Sequence, residues 1–399
     1  MFLLDSLPME RVLFSEWILP IHTDPIKDAF IAIEDGHIIE LGQQKHFRGN
    51  VELVEDLGHT VLFPGLVNVL YHSDFGVKQS ENTSKGNFIN WLHEANRHSR
   101  SLTQAGQESN ILSAIKGFVD SGTIAIGVRT THLGIGTHLE NSGLHSNVFL
   151  TIKGFSEYKA VDIWRNAEEK LSHRKNTSLT SYHASGEFLF STSPKLLRII
   201  SKHGKLSAMP VGINHEEIVF FQSGIGSIQQ FLLSRGDMDN RWIVPQKSII
   251  EYYLSEGYPS ENNILSHMIS IREEDIQLLK NSPKTFHVCL HPRFNRQWEM
   301  GTAPAKKIKQ SGLNICLGTF AGHVDMRREM QSASAEYGFS PEEVLIMATI
   351  NGAKALNLDR YIGTLEAGKE SKIIGITCKK PIQDPYQEIM FSTEKFHSI

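Results

Sequence analysis

From Val61 onward, short apolar runs alternate with amphipathic stretches of helical period, and no other feature restricts the fold of this chain so strongly. The runs begin near Val61, Ile124, Val148, Leu179, Ser207, Asn263, Thr285 and Leu313. Helical candidates lie between them, at residues 87–97, 104–119, 194–202 and 273–279. Parallel strands cannot be joined by a tight turn; each needs a crossover, usually a helix. About eight strand–helix units therefore predict a (β/α)8 barrel, with its chemistry at the C-terminal ends of the strands. Helix starts are marked as well. Ser193-Pro194 reads as an N-cap followed by proline at the first helical position, and Ser340-Pro341-Glu342-Glu343 adds a capping-box glutamate.

Residues 10–60 follow another rhythm. Phe30-Ile31-Ala32-Ile33-Glu34-Asp35-Gly36-His37-Ile38-Ile39-Glu40-Leu41-Gly42 sets two apolar runs around Asp35-Gly36, a hairpin signal. From about Gly363 the chain returns to short strand-like runs. The expected organisation is a small β-sandwich domain built from residues 1–60 plus 361–399, and a barrel over residues 61–360.

Composition excludes several classes of partner. The 40 basic and 44 acidic side chains are well mixed, so no basic tract points to nucleic acid. No uncharged apolar run reaches the ~20 residues of a membrane span. Met1-Phe2-Leu3-Leu4-Asp5 is briefly apolar, but an acid interrupts it and no basic residue precedes it, so no signal peptide is expected. The three cysteines, Cys289, Cys316 and Cys378, are far apart and odd in number, which suits a reducing, cytoplasmic setting.

Five stretches carry a resemblance. Residues 30–42 look like A-I-x-D-G-x-I-x-x-x-G entry strands. Pro64-Gly65-Leu66-Val67-Asn68-Val69-Leu70-Tyr71-His72 resembles a P-G-L-V-N-x-H-x-H first barrel strand. Val288-Cys289-Leu290-His291-Pro292-Arg293-Phe294-Asn295 looks like V-H-C-P-R-S-N, and Leu317-Gly318-Thr319-Phe320 like L-G-T-D. Ala348-Thr349-Ile350-Asn351-Gly352-Ala353-Lys354-Ala355-Leu356, followed by Ile362-Gly363-Thr364-Leu365-Glu366-Ala367-Gly368-Lys369, is close to A-T-x-N-G-A-K-A-L…I-G-x-L-x-x-G-K. Together they resemble the amidohydrolase superfamily over nearly the whole chain, within its deaminase and chlorohydrolase branch. Gly86-Asn87-Phe88-Ile89-Asn90-Trp91-Leu92 also resembles the F-x-x-W-L helix start of the aminodeoxyfutalosine deaminase group.

The resemblance implies a site with one divalent metal. Two histidines on strand one, a histidine on strand five and an aspartate on strand eight would hold it, and the ion would lower the pKa of its bound water. A glutamate after strand five would move protons, and a histidine on strand six would hold the water. Laid on that pattern, Leu70 replaces the first strand-one ligand and His72 keeps the second. Pro210 replaces the strand-five histidine, Ile213 the glutamate, and Phe320 the aspartate. His267 keeps the strand-six position. His183, at the end of strand four, and Arg293 match substrate contacts of relatives; each also has a plain structural reading, as a core hydrogen bond or a salt-bridge partner. His287 and His291 share a strand face but lie about 13 Å apart by strand rise, too far to chelate one ion.

The expectation that follows is a degenerate family member, a pseudoenzyme without the metal cofactor and without the family deamination. It would act by binding: a small molecule in the barrel-mouth pocket, a second copy of itself, or an active paralogue. The alternative is a hydrolase of carbon–nitrogen bonds with a rearranged site and one divalent metal such as zinc. It would deaminate an aminodeoxyfutalosine- or adenosine-like compound, and its site would be rebuilt from His72, Asp74, His183, His267 and His291.

Overall fold

The computed structural model describes residues 11–75, 85–256 and 259–399; the apolar start of the chain lies outside them. The terminal strands come first. β1 (Arg11–Ile18) pairs antiparallel with β2 (Ile26–Glu34), which turns back into β3 (His37–Gln43). That turn is Asp35-Gly36, both residues at positive φ (45° and 72°) as a tight hairpin of this hand requires. β4 (Val54–Asp56) and β5 (Thr60–Pro64) both pair with β1. The C-terminal strands Ile373–Thr377 and His397–Ser398 extend the same sheet from β5.

The apolar run near Val61 is thus two strands. β5 stays in the terminal sheet, and β6 (Leu66–His72) opens the barrel. The change of sheet falls at Pro64-Gly65. Proline has no N–H to continue a ladder, and a Cβ at Gly65 would stand 2.3 Å from Cγ2 of Ile124. Only glycine lets the chain cross that close to the neighbouring strand.

The barrel comprises two parallel halves. β6, β7 (Thr123–Thr130), β8 (His145–Ile152) and β9 (Thr180–Gly186) form the first. β10 (Leu206–Val211), β11 (Asn262–His267), β12 (Thr285–Leu290) and β13 (Asn314–Leu317) form the second. The halves meet on one side where Ser185 Oγ donates to the Ala208 carbonyl at 2.5 Å. On the other side, just past β13, Phe320 N–H donates to Leu70 O at 2.9 Å and His72 N–H donates to Phe320 O at 2.5 Å. A (β/α)8 barrel with a small sheet domain is therefore the fold.

Alternation along each strand decides which side chains face inward. On β7, Ile126 and Val128 pack outward with Phe118 and Leu139. Ala125 packs inward with Leu70, Phe149, Ala208, Ile264, Cys289 and Cys316. Arg129 shares the parity of Ala125 and so enters the barrel. Two helices follow β6: α1 (Phe88–Ser101), capped by Asn87, and α2 (Gln104–Asp120), capped by Thr103. Phe88 and Trp91 of α1 lie over the C-terminal strand ends, with Trp91 against Phe294 at 4.9 Å and Phe320 at 5.9 Å between ring centroids. None of the three cysteines is in a disulfide. Among the described residues, no helix is long and apolar enough to cross a membrane.

Candidate active site at the barrel mouth

Three histidines end their strands at the same face. His72 closes β6, His267 closes β11, and His291 follows β12; each is essentially buried. His267 Nδ1 lies 3.0 Å from Asn295 Oδ1, and His291 Nδ1 lies 2.7 Å from the Gly318 carbonyl. Oxygen acceptors at Nδ1 set both rings as Nδ1–H tautomers. Their Nε2 lone pairs face away from those bonds and have no partner, and neither ring nitrogen of His72 has one. The His267 and His291 ring centroids are 4.9 Å apart. His267 itself sits at φ 69°, a conformation costly for a histidine and frequent at functional sites.

Burial keeps these imidazoles neutral. It drives His72 and His267 well below the ordinary histidine range and His291 down to about 4. The charge of Arg129 pushes all three in the same direction, and Lys153 adds to the effect at His72. Arg129 is fully buried. Its Nη2 donates to Gly186 O at 2.8 Å and to Glu187 O, and its guanidinium lies 5.8 Å from the Phe188 ring centroid. Burial lowers its pKa to about 9, against the pull of Glu187 and Asp74, so it remains a cation at neutral pH. The Glu187 carboxylate is spent elsewhere, on Lys153 Nζ at 3.0 Å and Ser191 Oγ at 3.1 Å.

Phe320 fills the space between these groups. Its ring centroid lies 4.6 Å from that of His267, 5.3 Å from that of His291 and 4.6 Å from that of Phe294. Leu70 belongs to the inner apolar layer. Pro210 sits in β10 opposite Ser266. Ile213 is buried, and its N–H donates to Glu217 Oε2 at 2.7 Å. Glu217 Oε1 is buried without a partner, and burial pushes the carboxyl up to about 8 against the hydrogen bonds of Ile213 and Gly212. His215 and Glu216 open the helix His215–Ser223, where Glu216 bonds Asn214 and Ser227.

The other expected contacts lie apart from this cluster. His183 is mid-strand, with Nε2 2.8 Å from Asn147 Oδ1 and its ring against Phe149. Arg293 N–H donates to Glu329 Oε1 at 3.0 Å, and its guanidinium has Glu329 and Asp325 as charged neighbours. Asp74 ties the ends of two strands together by accepting from Thr130 Oγ and Thr131 N. His287 bonds Asn314 near the opposite end of the barrel. Beside the mouth, a cavity of about 230 Å³ is lined by Ser73, Asp74, Gln107, Glu108, His132 and His138, among others. The sequence reading passed over Arg129, Lys153, Glu187 and the buried acid of Glu217. One signal for Arg129 was present: it is the lone charge in an otherwise uncharged run, residues 123–130.

Comparison with known proteins fits this architecture. The amidohydrolase family profile matches residues 61–397, and the chain belongs to that family. It is 23% identical over 392 residues to the 5-methylthioadenosine/S-adenosylhomocysteine deaminase of Moorella thermoacetica, covering 93% of this chain and 86% of that protein. The Teredinibacter turnerae enzyme of the same name is 34% identical over 143 residues, a match spanning only 32% of either chain. Among solved structures, Helicobacter pylori aminofutalosine deaminase in complex with methylthio-coformycin superposes with a TM-score of 0.81 at 16% identity, covering 96% of this chain and 97% of that one. A Xanthomonas campestris adenosine deaminase with bound zinc superposes with a TM-score of 0.76 at 16% identity, covering 96% and 89%.

These findings correct two expectations. A pseudoenzyme acting only by binding is overturned, because the relatives matched across most of the chain are named as deaminases. The expectation of no cofactor is overturned by membership of the amidohydrolase family taken together with a structural neighbour that holds bound zinc. Both expectations judged lone-pair donors by family position alone, whereas His72, His267 and His291 remain unpartnered donors at the mouth. The residues nonetheless do not fit the family's ion in the family's way. Leu70, Pro210 and Phe320 offer it nothing, and among the described residues no group of three or more His, Cys, Asp or Glu side chains is placed to hold one ion.

Proposed function

We propose that this amidohydrolase-family member is a hydrolase acting on a carbon–nitrogen bond, a deaminase of an adenosine-like nucleoside, working through a rearranged site. One observation carries the reading: three neutral imidazoles, from β6, β11 and the end of β12, bring unpartnered ring nitrogens to the face where a barrel of this kind does its chemistry. The names of the relatives supply the substrate class, a purine nucleoside altered at its 5′ position.

The chemistry asks for few groups. Water adds to the ring carbon that bears the amine, the C–N bond breaks, and ammonia leaves while the oxygen stays. Nε2 of His267 and Nε2 of His291 are acceptors for the water's protons. Glu217, held protonated by burial, is the acid on the strand-five side, hydrogen-bonded under Ile213. The small molecule would occupy the mouth, beside Phe320 and under the α1 aromatics.

The test is purified protein with 5-methylthioadenosine, S-adenosylhomocysteine, 5′-deoxyadenosine and adenosine, each assayed with zinc, iron(II), manganese or chelator, read by ammonia release and mass spectrometry. Turnover of at least one substrate is expected. His72→Ala, His267→Ala and His291→Ala should each lower kcat/KM by about 10²–10⁴-fold. No turnover of any substrate under any metal condition would reject the reading. Activity unchanged in all three variants would reject the assigned residues.

A further inference from the structure

The cavity of about 230 Å³ beside the mouth has two unlike walls. One is apolar, made by Leu102 at the end of α1, Ile111 of α2, and Ile135. The other carries the hydrogen-bonding groups of Gln107, Glu108 and Asn110 of α2. His138, on the helix Ile135–Asn141, faces them, with Nε2 3.5 Å from Glu108 Oε1. The inner end is Ser73-Asp74, the two residues after His72. An extended chain spans at most ~3.6 Å per residue, so the Asp74 backbone stands within about 7 Å of the His72 backbone. Asp74 is fixed in place: Thr130 Oγ donates to it at 3.0 Å and Thr131 N–H at 2.8 Å. The cavity therefore starts where the catalytic face begins, and its inner end holds its shape.

The lining selects among ligands. Side-chain amides, a carboxylate and an imidazole can accept from and donate to neutral hydroxyls. The apolar wall suits a C–H face or a short alkyl group, a mixture usual for a small-molecule site. None of the described residues that line the cavity is a lysine or an arginine, so an anion finds no counter-ion there and meets the Glu108 carboxylate instead. We propose that this cavity is the sugar subsite for the nucleoside: it takes the ribose and a short, neutral 5′ substituent, while the purine stays in the mouth beside His72. The ribose hydroxyls bond to Gln107, Glu108 and Asn110, and the 5′ alkyl group lies on Leu102, Ile111 and Ile135. The proposal rests on the hydrolytic reading above and narrows its substrates to nucleosides with an uncharged 5′ end, excluding nucleotides. These contacts lie away from the reacting carbon, so they count alike in the ground state and the transition state and register in KM.

The experiment uses the full chain and three variants, Glu108→Ala, Asn110→Ala and Glu108→Arg, none at a buried position. Saturation-transfer NMR with 5-methylthioribose, which carries no base, supplies an arm independent of turnover. Wild type should bind it, and each alanine variant should bind it about tenfold more weakly. With 5-methylthioadenosine as substrate, the alanine variants should lower kcat/KM about tenfold, the change falling on KM. Wild type should use adenosine 5′-monophosphate at least about 10²-fold less efficiently than 5-methylthioadenosine. Glu108→Arg supplies the missing cation and should narrow that gap about tenfold, which a merely structural role would not do. Should one variant fail to fold, the other two carry the comparison. The proposal is overturned by 5-methylthioribose binding that is absent from wild type or indifferent to both alanine variants. A KM unmoved in both of them, a nucleotide used as well as the nucleoside, or a gap unchanged in folded Glu108→Arg overturns it equally. If wild type turns over no nucleoside, the deaminase reading fails by itself, and the 5-methylthioribose arm still judges the cavity.

Discussion

Truncating Phe320 separates packing from backbone strain at the centre of the site. The ring is wholly buried against His267, His291, Phe294 and Trp91, so Phe320→Ala should cost about 3–5 kcal/mol, as other large-to-small core changes do. The main-chain bonds to Leu70 and His72 survive the change, so the loss reads the side chain alone. Phe320 also has φ 55°, in the left-handed region. Alanine keeps that strain, because it keeps the Cβ; glycine sheds roughly 1 kcal/mol of it. Glycine normally trails alanine by about 0.5–1 kcal/mol through its extra unfolded-state freedom. Here the two terms cancel or reverse, so Phe320→Gly should be at least as stable as Phe320→Ala. Guanidinium unfolding followed by far-UV circular dichroism measures both. A loss under about 1 kcal/mol for the alanine variant would show the ring to be loosely packed. A glycine variant weaker than alanine by the usual margin would remove the strain argument.

Three further outcomes follow from the same geometry. Glu217 has a folded pKa of about 8, raised from an ordinary value of 4.5, so the stability it contributes is present below its ordinary value and lost as pH rises through 8. Glu217→Gln should flatten that part of the stability–pH curve, measured by denaturation at stepped pH; Glu329, also raised to about 8, keeps its own share of the slope. Asn295→Ala removes the acceptor that fixes the His267 tautomer; a bond worth about 1 kcal/mol corresponds to a fall in kcat/KM of about fivefold to tenfold, and an unchanged rate would dismiss the positioning role. Ser340→Ala removes the capping box of the helix Pro341–Met347 and should cost about 1 kcal/mol without touching turnover.

Much of the frame is written in local chemistry. Strand and helix periods, the Asp35-Gly36 turn and the Ser-Pro helix starts each act within a few residues, so they survive reading in one dimension. The resemblance to the amidohydrolases is legible for the same reason, in stretches such as residues 348–356. The strand change at Pro64-Gly65 was harder to see, because β5 and β6 are both apolar and only their partners differ. The site was read position by position, and Leu70, Pro210 and Phe320 made it look emptied. A lost ligand is visible at its own position in the chain, whereas what the barrel gathers from other strands is not.

The sequence by itself determined the fold class and the helix and hairpin boundaries, since period and capping are short-range effects; the places of His72 and His267 on strands one and six came from the family resemblance. Only the tertiary structure decided that an arginine from β7 shares a mouth with three imidazoles, that His183 lies aside, and that Phe320 packs among them. Strand closure brings together residues as far apart in the chain as His72 and Phe320, and burial then sets their charge and hydrogen-bonding state. Neither quantity exists until the barrel is shut.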